Sequence, residues 1–303
     1  MKNVYISVLT FNDNPVTWDC LESLEKLKKD NFNLSVVVVD NASIDKFYAK
    51  KEYTNFNLTI LRNEKNLGFS GGQNKGIKFA IENGADFVNI LNNDTIVDPN
   101  LITELLNGFN DNVAIVVPKI YFAKGHEYHK DRYKKDELGK VIWYAGGFVD
   151  WNNIFGKHRG VDEIDKGQYD TQKETELATG CCMVVSRQAI EKVGVFDDKF
   201  FLYYEDGDLC MRIKKAGFKI MFVPKGKLWH LNAASTGGSG SALQDYYISR
   251  NRMLFGFRYA SLRVKLALFR ESIKIFQSGR PWQKTGIKDF YLNKFGKGSY
   301  KNE

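Results

Sequence analysis

From its second residue the chain alternates short β-branched runs with stretches whose apolar positions recur every three or four residues. That is the signature of parallel strands joined by crossover helices. The runs Val4–Leu9, Ser35–Val39, Leu58–Leu61 and Phe87–Leu91 read as strands. Helices are expected near Val16–Lys29, Asp45–Glu52 and Gly72–Asn83, the first opened by Pro15 and the last stopped by Gly84. Ser35–Val39 is apolar without alternation, as suits a central strand covered on both faces, and it runs into Asp40-Asn41-Ala42-Ser43. Ligands of open α/β sheets sit beyond the carboxyl ends of strands, so Asp40 is placed for function. This half predicts a nucleotide-binding α/β unit. After Pro118 the pattern loosens into a Gly-, Tyr- and Trp-rich region from Tyr121 to about Thr175, with hairpin-like pieces around Val141–Asp150. Strand signal returns at Leu177–Val185 and Lys219–Val223, bracketing a helix near Asp206–Ala216.

Composition narrows the picture. A chain of 303 residues with 43% hydrophobic content can bury one large core, or a core and a smaller appendage. Five prolines, and no linker-like block before the last fifty residues, predict one continuous domain with a tail. No short repeat, secretory leader or membrane-spanning run is read, Met1–Thr10 being a core strand, and a cytosolic protein is expected. Four cysteines without zinc-ligand spacing, two of them adjacent at Cys181 and Cys182, fit reduced structural thiols.

The formal charge of +8 is unevenly distributed: residues 250–303 carry 13 Lys/Arg against three Asp/Glu, residues 1–249 carry 31 against 33. A near-neutral body with a basic tail argues against nucleic acid and for local contact with an anionic surface, a membrane being the expected one. In that tail Leu262, Leu266, Phe269, Ile273 and Phe276 line one helical face, and Arg263, Arg270 and Lys274 fall together on another. Such a helix can lie in a membrane interface, which would make the protein peripheral on the inner face of the cell membrane. The alternative is that the apolar face packs on the catalytic body or on a second subunit of a homodimer.

Four segments carry candidate chemistry. The fourth strand delivers Asn92-Asn93-Asp94-Thr95 to a loop, where a carboxylate can hold Mg²⁺ or Mn²⁺ against two phosphates or can simply cap the turn before Asp98-Pro99. Asn63–Gly76 sets glycines and amides at a helix start whose exposed N–H groups can meet an anion or a sugar edge. Its spacing is not that of the dinucleotide fingerprint. The run Phe201-Leu202-Tyr203-Tyr204-Glu205-Asp206-Gly207-Asp208 crowds three carboxylates into four residues behind aromatic side chains, which favours a recessed site over a merely charged helix start. Trp229-His230 precedes the Gly/Ser-rich segment 234–240, and its imidazole is a candidate metal ligand or an ordinary satisfied histidine. His126, His129 and His158 lie in the irregular middle and are assigned no role.

In this order the segments resemble the family 2 glycosyltransferases with a GT-A fold, particularly the bacterial rhamnosyltransferase-like branch. The resemblance covers about residues 3–260. It rests on Thr10-Phe11-Asn12, Val39-Asp40-Asn41-Ser43, Asn66-Leu67-Gly68-Phe69, Asn92-Asn93-Asp94, Thr179-Gly180, Glu205-Asp206-Gly207-Asp208-Leu209 and His230. It implies a GT-A domain over 1–242, divided into a nucleotide-sugar-binding half (1–118) and an acceptor and catalytic half (119–242), followed by a helical basic extension (243–303). It implies that Asp40 contacts the nucleobase, that Thr10, Phe11 and Asn12 line the same pocket, and that Asn41, Gly68, Asn74, Asn92 and Asn93 belong to the nucleotide-sugar site. Asp94 would close the Asp-x-Asp metal motif, with Asn92 at its first position, and His230 would be a further ligand for Mn²⁺ or Mg²⁺. Asp206 matches the general base of inverting members and Glu205 is the runner-up. Thr179, Gly180, Tyr204 and Asp208 fall on the acceptor side, Asp208 orienting Arg212 or the helix start.

The implied activity is metal-dependent, inverting transfer of a sugar, rhamnose favoured, from a dTDP- or UDP-linked donor to a cell-surface glycan or lipid-linked acceptor. Two rivals differ in class. A nucleotidyltransferase would need a basic residue over the triphosphate, and Thr10–Val16 contains none. A non-catalytic sugar-nucleotide-binding module would bind without turnover and would not need Asp206.

Overall fold

The computed structural model describes residues 1–232 and 240–301, so the Gly/Ser-rich segment expected beside His230 lies, apart from Gly240, outside the described residues. The chain opens with β1 (Lys2–Thr10), α1 (Asn14–Leu24), β2 (Phe32–Asp40), β3 (Asn57–Arg62), α2 (Gly68–Glu82) and β4 (Phe87–Asn92). It continues through β5 (Thr95–Val97), α3 (Leu101–Leu106), β6 (Val113–Phe122), β7 (Ile142–Tyr144), β8 (Gly147–Asp150), β9 (Phe155–His158) and β10 (Lys173–Glu174). Then come β11 (Cys182–Ser186), α4 (Arg187–Val193), α5 (Glu205–Lys215) and β12 (Lys219–His230). Three helices close it: α6 (Ala242–Tyr259), α7 (Leu262–Ser278) and α8 (Pro281–Tyr291).

A ten-stranded mixed sheet runs β10-β12-β6-β11-β4-β1-β2-β3, with β5 beside β12 and β7 beside β6. The β-branched run of β2 is buried on both faces, as its lack of alternation predicts. Parallel pairing sets Thr10 opposite Asp40, Asp40 opposite Arg62, and Leu9 opposite Asn92, so four strands deliver their carboxyl ends to one rim of the sheet. Antiparallel β11 lies between β4 and β6 and joins the two halves. At the far end of β12, His230 pairs with Thr95 of β5, which carries it to the residue after Asp94. Helix α2 lies close on this sheet because it presents glycine to it: a Cβ at Gly76 would stand 2.1 Å from Ser7 Oγ.

Three expectations are corrected. Residues 45–52 form no helix. Side chains take their backbone groups instead: Asp40 accepts from Phe47 N–H (3.1 Å), Trp18 Nε1 donates to Tyr48 O (2.8 Å), and Asn14 Nδ2 donates to Asp45 O (3.3 Å). The hairpin of the middle region joins β8 to β9 rather than spanning Val141–Asp150, since β7 pairs with β6. Residues 177–181 form a loop, and β11 starts only at Cys182. The four cysteines are free and buried, in keeping with structural thiols.

Candidate active site

The first wall of the site is the rim where β1 and β2 end. Asn12, in a left-handed conformation (φ 55°), receives a hydrogen bond on Oδ1 from Ile44 N–H (2.8 Å), and its own N–H donates to Ser43 Oγ (2.9 Å). The two loops are thereby knitted together. Thr10 is buried, its Oγ1 accepting from Thr17 Oγ1 (2.8 Å), while the Phe11 ring stays 37% exposed at the rim. Asp40 is buried too. Burial alone would raise its pKa, but the Ser43 and Phe47 N–H groups, the Ser43 hydroxyl and the Arg62 guanidinium outweigh that and hold the carboxyl below its ordinary value. Arg62, supplied by β3, is a partner that sequence reasoning missed.

Asn41 faces inward. It donates to Asn66 Oδ1 and Gly68 O (both 3.0 Å) and accepts from Asn63 Nδ2 (2.9 Å) and Leu67 N–H (3.0 Å), so it shapes the Asn66–Phe69 loop. Gly68 has φ +72°, and a Cβ there would meet Phe201 O at 2.4 Å. The expected anion site at the start of α2 is closed, because Phe69 and Ser70 N–H both donate to Phe201 O (2.7 and 3.2 Å). Asn74 likewise turns away from an open pocket, bonding Phe196 through both N–H and C=O and donating to Asp198 Oδ1 (2.7 Å).

Beyond β4, Asn93 Nδ2 donates to Thr17 Oγ1 (3.0 Å), and Asp94 meets His230 with Oδ1 and Nε2 3.1 Å apart, both residues buried. Among the described residues no group of three His, Cys, Asp or Glu comes together as a metal cage, so the chain offers one carboxylate and one imidazole. That pair fits a divalent cation whose remaining positions are filled by water and phosphate oxygens. His230 Nδ1 is buried without a hydrogen-bond partner among the described residues, and Trp143 packs edge-on against the imidazole, ring centroids 4.7 Å apart.

The third wall is the turn into α5. Phe201, Tyr203 and Tyr204 all adopt left-handed backbone (φ 67°, 69° and 73°), a conformation costing bulky residues about 1–3 kcal/mol each. Helix α6 holds it: Asn251 Nδ2 donates to the carbonyls of Phe200, Leu202 and Tyr203 (2.8, 2.8 and 2.9 Å), and the wholly buried Arg250 donates to Phe200 O (2.9 Å). The turn places Asp206 with Oδ2 on Gly180 N–H (3.1 Å) and Oδ1 on Gly207 N–H (2.7 Å). Burial raises its pKa against those two donors. Asp206 opens onto a cavity of about 230 Å³ lined by Val149, Ile154, Phe155, His158, Leu177, Tyr204 and Phe255.

Glu205, the runner-up base, does not line that cavity. It is buried with Oε2 lacking a hydrogen-bond partner among the described residues, and burial, then the adjacent Asp206 charge, drives its pKa well up. Asp208 is also displaced from the acceptor side. It is fully buried and accepts from Arg212 Nε (2.8 Å), Arg258 Nη1 (2.8 Å) and Tyr259 Oη (2.7 Å), tying α5 to α6. Tyr204 does reach the cavity, its hydroxyl donating to Ile154 O (2.8 Å). Thr179 is buried, and Gly180 lies under the Phe69 ring, where a Cβ would come within 2.9 Å.

The Thr179–Cys181 segment links the end of β4, next to the Asp94–His230 pair, to Asp206: Cys181 O accepts from Asn92 N–H (2.9 Å) while Gly180 N–H bonds Asp206. His158, given no role from sequence, lines the Asp206 cavity and packs edge-on against Trp143, the ring that also packs edge-on against His230. Burial pushes its pKa down to about 4; the Trp143 carbonyl opposes the shift and the His230 charge adds to it. Local patterning carries no signal for His158, Arg250 or Asn251, because each acts on residues at least 48 positions away or through a ring stack.

A parallel-sheet rim holding the buried Asp40, the Asp94–His230 pair at a neighbouring strand end and Asp206 facing an apolar cavity define the candidate site of an α/β protein. Residues 5–194 match the model of glycosyl transferase family 2, and the chain belongs to that family. Among curated relatives it is 24% identical over 220 residues to the low-salt glycan biosynthesis hexosyltransferase Agl10 of Haloferax volcanii, covering 72% of this chain and 66% of that protein. It is 23% identical to the dTDP-rhamnosyl transferase RfbF of Shigella flexneri, covering 76% and 69%, and 27% identical to an N-acetylglucosaminyl-diphospho-decaprenol L-rhamnosyltransferase of Mycobacterium tuberculosis, covering 67% and 68%. The chain thus spans about two thirds of the length of these relatives. Its fold is GT-A-like: it superposes on GalNAc-T7 crystallised with UDP, GalNAc and Mn²⁺ (TM-score 0.60, 16% identity, 96% of this chain and 58% of that one). It also superposes on S. aureus TarS 1–349 (TM-score 0.56, 15% identity, 97% and 78%).

Proposed function

We propose that this chain catalyses inverting, divalent-metal-dependent transfer of a sugar, rhamnose favoured, from a dTDP- or UDP-linked donor to a hydroxyl of a cell-surface glycan or lipid-linked intermediate. The observation that carries the reading is Asp206: a carboxylate with a raised pKa, fixed by two backbone N–H groups, facing an apolar cavity and one loop away from the Asp94–His230 pair. An acceptor hydroxyl in that cavity gives its proton to Asp206 as its oxygen bonds to the anomeric carbon. The bond from that carbon to the diphosphate oxygen breaks on the opposite face, and the electron pair leaves with the phosphate. The raised pKa makes Asp206 a better proton acceptor than an ordinary aspartate, and the apolar walls exclude water that would otherwise compete for the donor. A cation held by Asp94 and His230 supplies neutralisation of the diphosphate's charge, and the mixed carboxylate–imidazole donor set favours Mn²⁺ over Mg²⁺.

The Shigella and Mycobacterium relatives, named for rhamnosyl transfer, support rhamnose, and the decaprenol-linked acceptor in one of those names supports a lipid-linked acceptor. Structural neighbours crystallised with UDP or GDP-mannose and Mn²⁺ support a nucleotide-linked donor and the metal. Calorimetric titration of dTDP-rhamnose and UDP-sugars into wild type and Asp94→Ala, with Mn²⁺ or with chelator, tests the reading. Removing either the carboxylate or the metal is expected to weaken donor binding by about tenfold or more, with no further loss when both are removed. Donor affinity indifferent to both would overturn metal dependence.

A further inference from the structure

Helix α7 has two apolar faces, and the protein uses only one. Leu268 and Ser272 are buried against the body, where a Cβ on Gly256 of α6 would come within 2.3 Å of Leu268 Cδ1. On the other side Leu262, Leu266, Phe269, Ile273 and Phe276 are 73%, 52%, 47%, 44% and 45% exposed. Nothing among the described residues covers them, so packing on the chain's own catalytic body, one of the two alternatives read from the sequence, is not what this face does. At about 100° per residue these five side chains fall within one narrow stripe, Lys265 borders it on one side, and Arg263, Arg270 and Lys274 border it on the other.

We propose that this outer face of α7 is a docking surface for an anionic phospholipid bilayer, lying parallel to it with the apolar stripe at the acyl boundary and the basic flanks among the headgroups. Charge selects the occupant. The single carboxylate of α7, Glu271, falls on the side of the helix away from the stripe and pairs with Arg252, with 2.6 Å between Nη1 and Oε1. The exposed face is therefore purely cationic around its apolar centre. A second copy meeting it stripe to stripe would oppose basic flank to basic flank, whereas phosphate headgroups complement both. The inner side of α7 lines a cavity of about 180 Å³ together with Phe155 and Ile248, and these two residues also line the Asp206 cavity. Through these two shared residues the inner side of α7 adjoins the cavity that Asp206 faces. The docking itself rests on α7 and is independent of which sugar the site transfers.

Flotation of the full chain with vesicles of phosphatidylcholine alone, or mixed equally with phosphatidylglycerol, tests the proposal alongside sedimentation velocity of the lipid-free protein. Wild type is expected to float with the anionic vesicles, less so in high salt, and to leave the neutral ones. Arg263→Glu/Arg270→Glu/Lys274→Glu is expected to lower anionic-vesicle partitioning at least on the order of a hundredfold, since each basic residue contributes roughly fivefold. Leu266→Glu/Phe269→Glu is expected to abolish it. Both variants change solvent-exposed positions and should keep the wild-type circular dichroism spectrum. Wild type that floats with neither vesicle, binding unaltered in either variant, or a dimer that Leu266→Glu/Phe269→Glu converts to monomer would overturn the proposal.

Discussion

At the ends of β1, β2 and β4 the site residues stand on regular strands whose backbone the sheet satisfies, whereas the turn that carries Asp206 holds three bulky residues in left-handed conformation and is braced from outside by α6. On the donor side, position follows from where a strand stops: register alone brings Thr10, Asp40 and Arg62 abreast. On the acceptor side the chain takes a path that its own residues disfavour, and helix–loop hydrogen bonds formed across some fifty positions in sequence offset the cost. A basic extension that looks like an appendage is, through Arg250 and Asn251, part of what shapes the reacting end. Strand-end sites tolerate changes elsewhere; a braced turn inherits the stability of its brace.

The largest effect expected of this contrast is at the reacting group. Asp206→Asn should lower kcat about a thousandfold, ~4 kcal/mol of barrier, while leaving donor affinity as it was, because the amide keeps the shape and loses the base. Steady-state kinetics with donor titration check it. The sign of the raised pKa adds that wild-type kcat/KM should fall away on the acid side above the ordinary aspartate value of 3.8, as Asp206 takes up its proton. A variant turning over at the wild-type rate would move the base elsewhere.

Next in size is the brace. Asn251→Ala removes the side-chain donor that Leu202 O and Tyr203 O share, at a cost of about 2–4 kcal/mol in denaturant unfolding. It should also depress kcat more than donor KM, since the turn it releases carries Asp206 and the rim of β1, β2 and β4 does not depend on it. Equal loss on both sides of the site would dissolve the contrast.

The smallest effect concerns Glu205. With its folded pKa raised, the folded chain binds the proton more tightly than the unfolded one, so the stability linked to this group is complete below the ordinary glutamate value of 4.5 and is lost as pH rises towards the folded value. Glu205→Gln removes that linkage. Thermal unfolding should find the variant gaining on wild type as pH is raised from 5 to 8, by at most about 1.4 kcal/mol per pH unit. A flat difference would mean that the buried Glu205 has found a partner for its charge.

Strands β1 to β4, β11 and β12, helices α2 and α5 and the positions of Asp40, Asp94 and Asp206 were legible from local periods that end in polar residues, whereas β6, buried along its whole length, was not read as a strand. The predicted helix at 45–52 failed because its helical spacing was outbid by side chains from α1 and β2, which no local window contains. Asn41 and Asn74 were expected in the nucleotide-sugar site and Asp208 on the acceptor side, orienting Arg212; in the fold Asp208 does bond Arg212, and all three turn polar atoms inward to hold one segment against another.

By itself the sequence determined the α/β alternation, the order of the strand-end motifs, the carboxylate cluster before α5 and the uneven charge of the tail, since these are properties of neighbours along the chain. Only the tertiary structure decided which carboxylate faces the cavity, that His230 meets Asp94 from 136 residues away, that α6 braces the turn before Asp206, and that the apolar stripe of α7 stays exposed among the described residues. The physical reason is range. Periodicity and turn chemistry act over a few residues, whereas the direction of a side chain, its burial and hence its proton affinity are set by whatever distant segment packs against it.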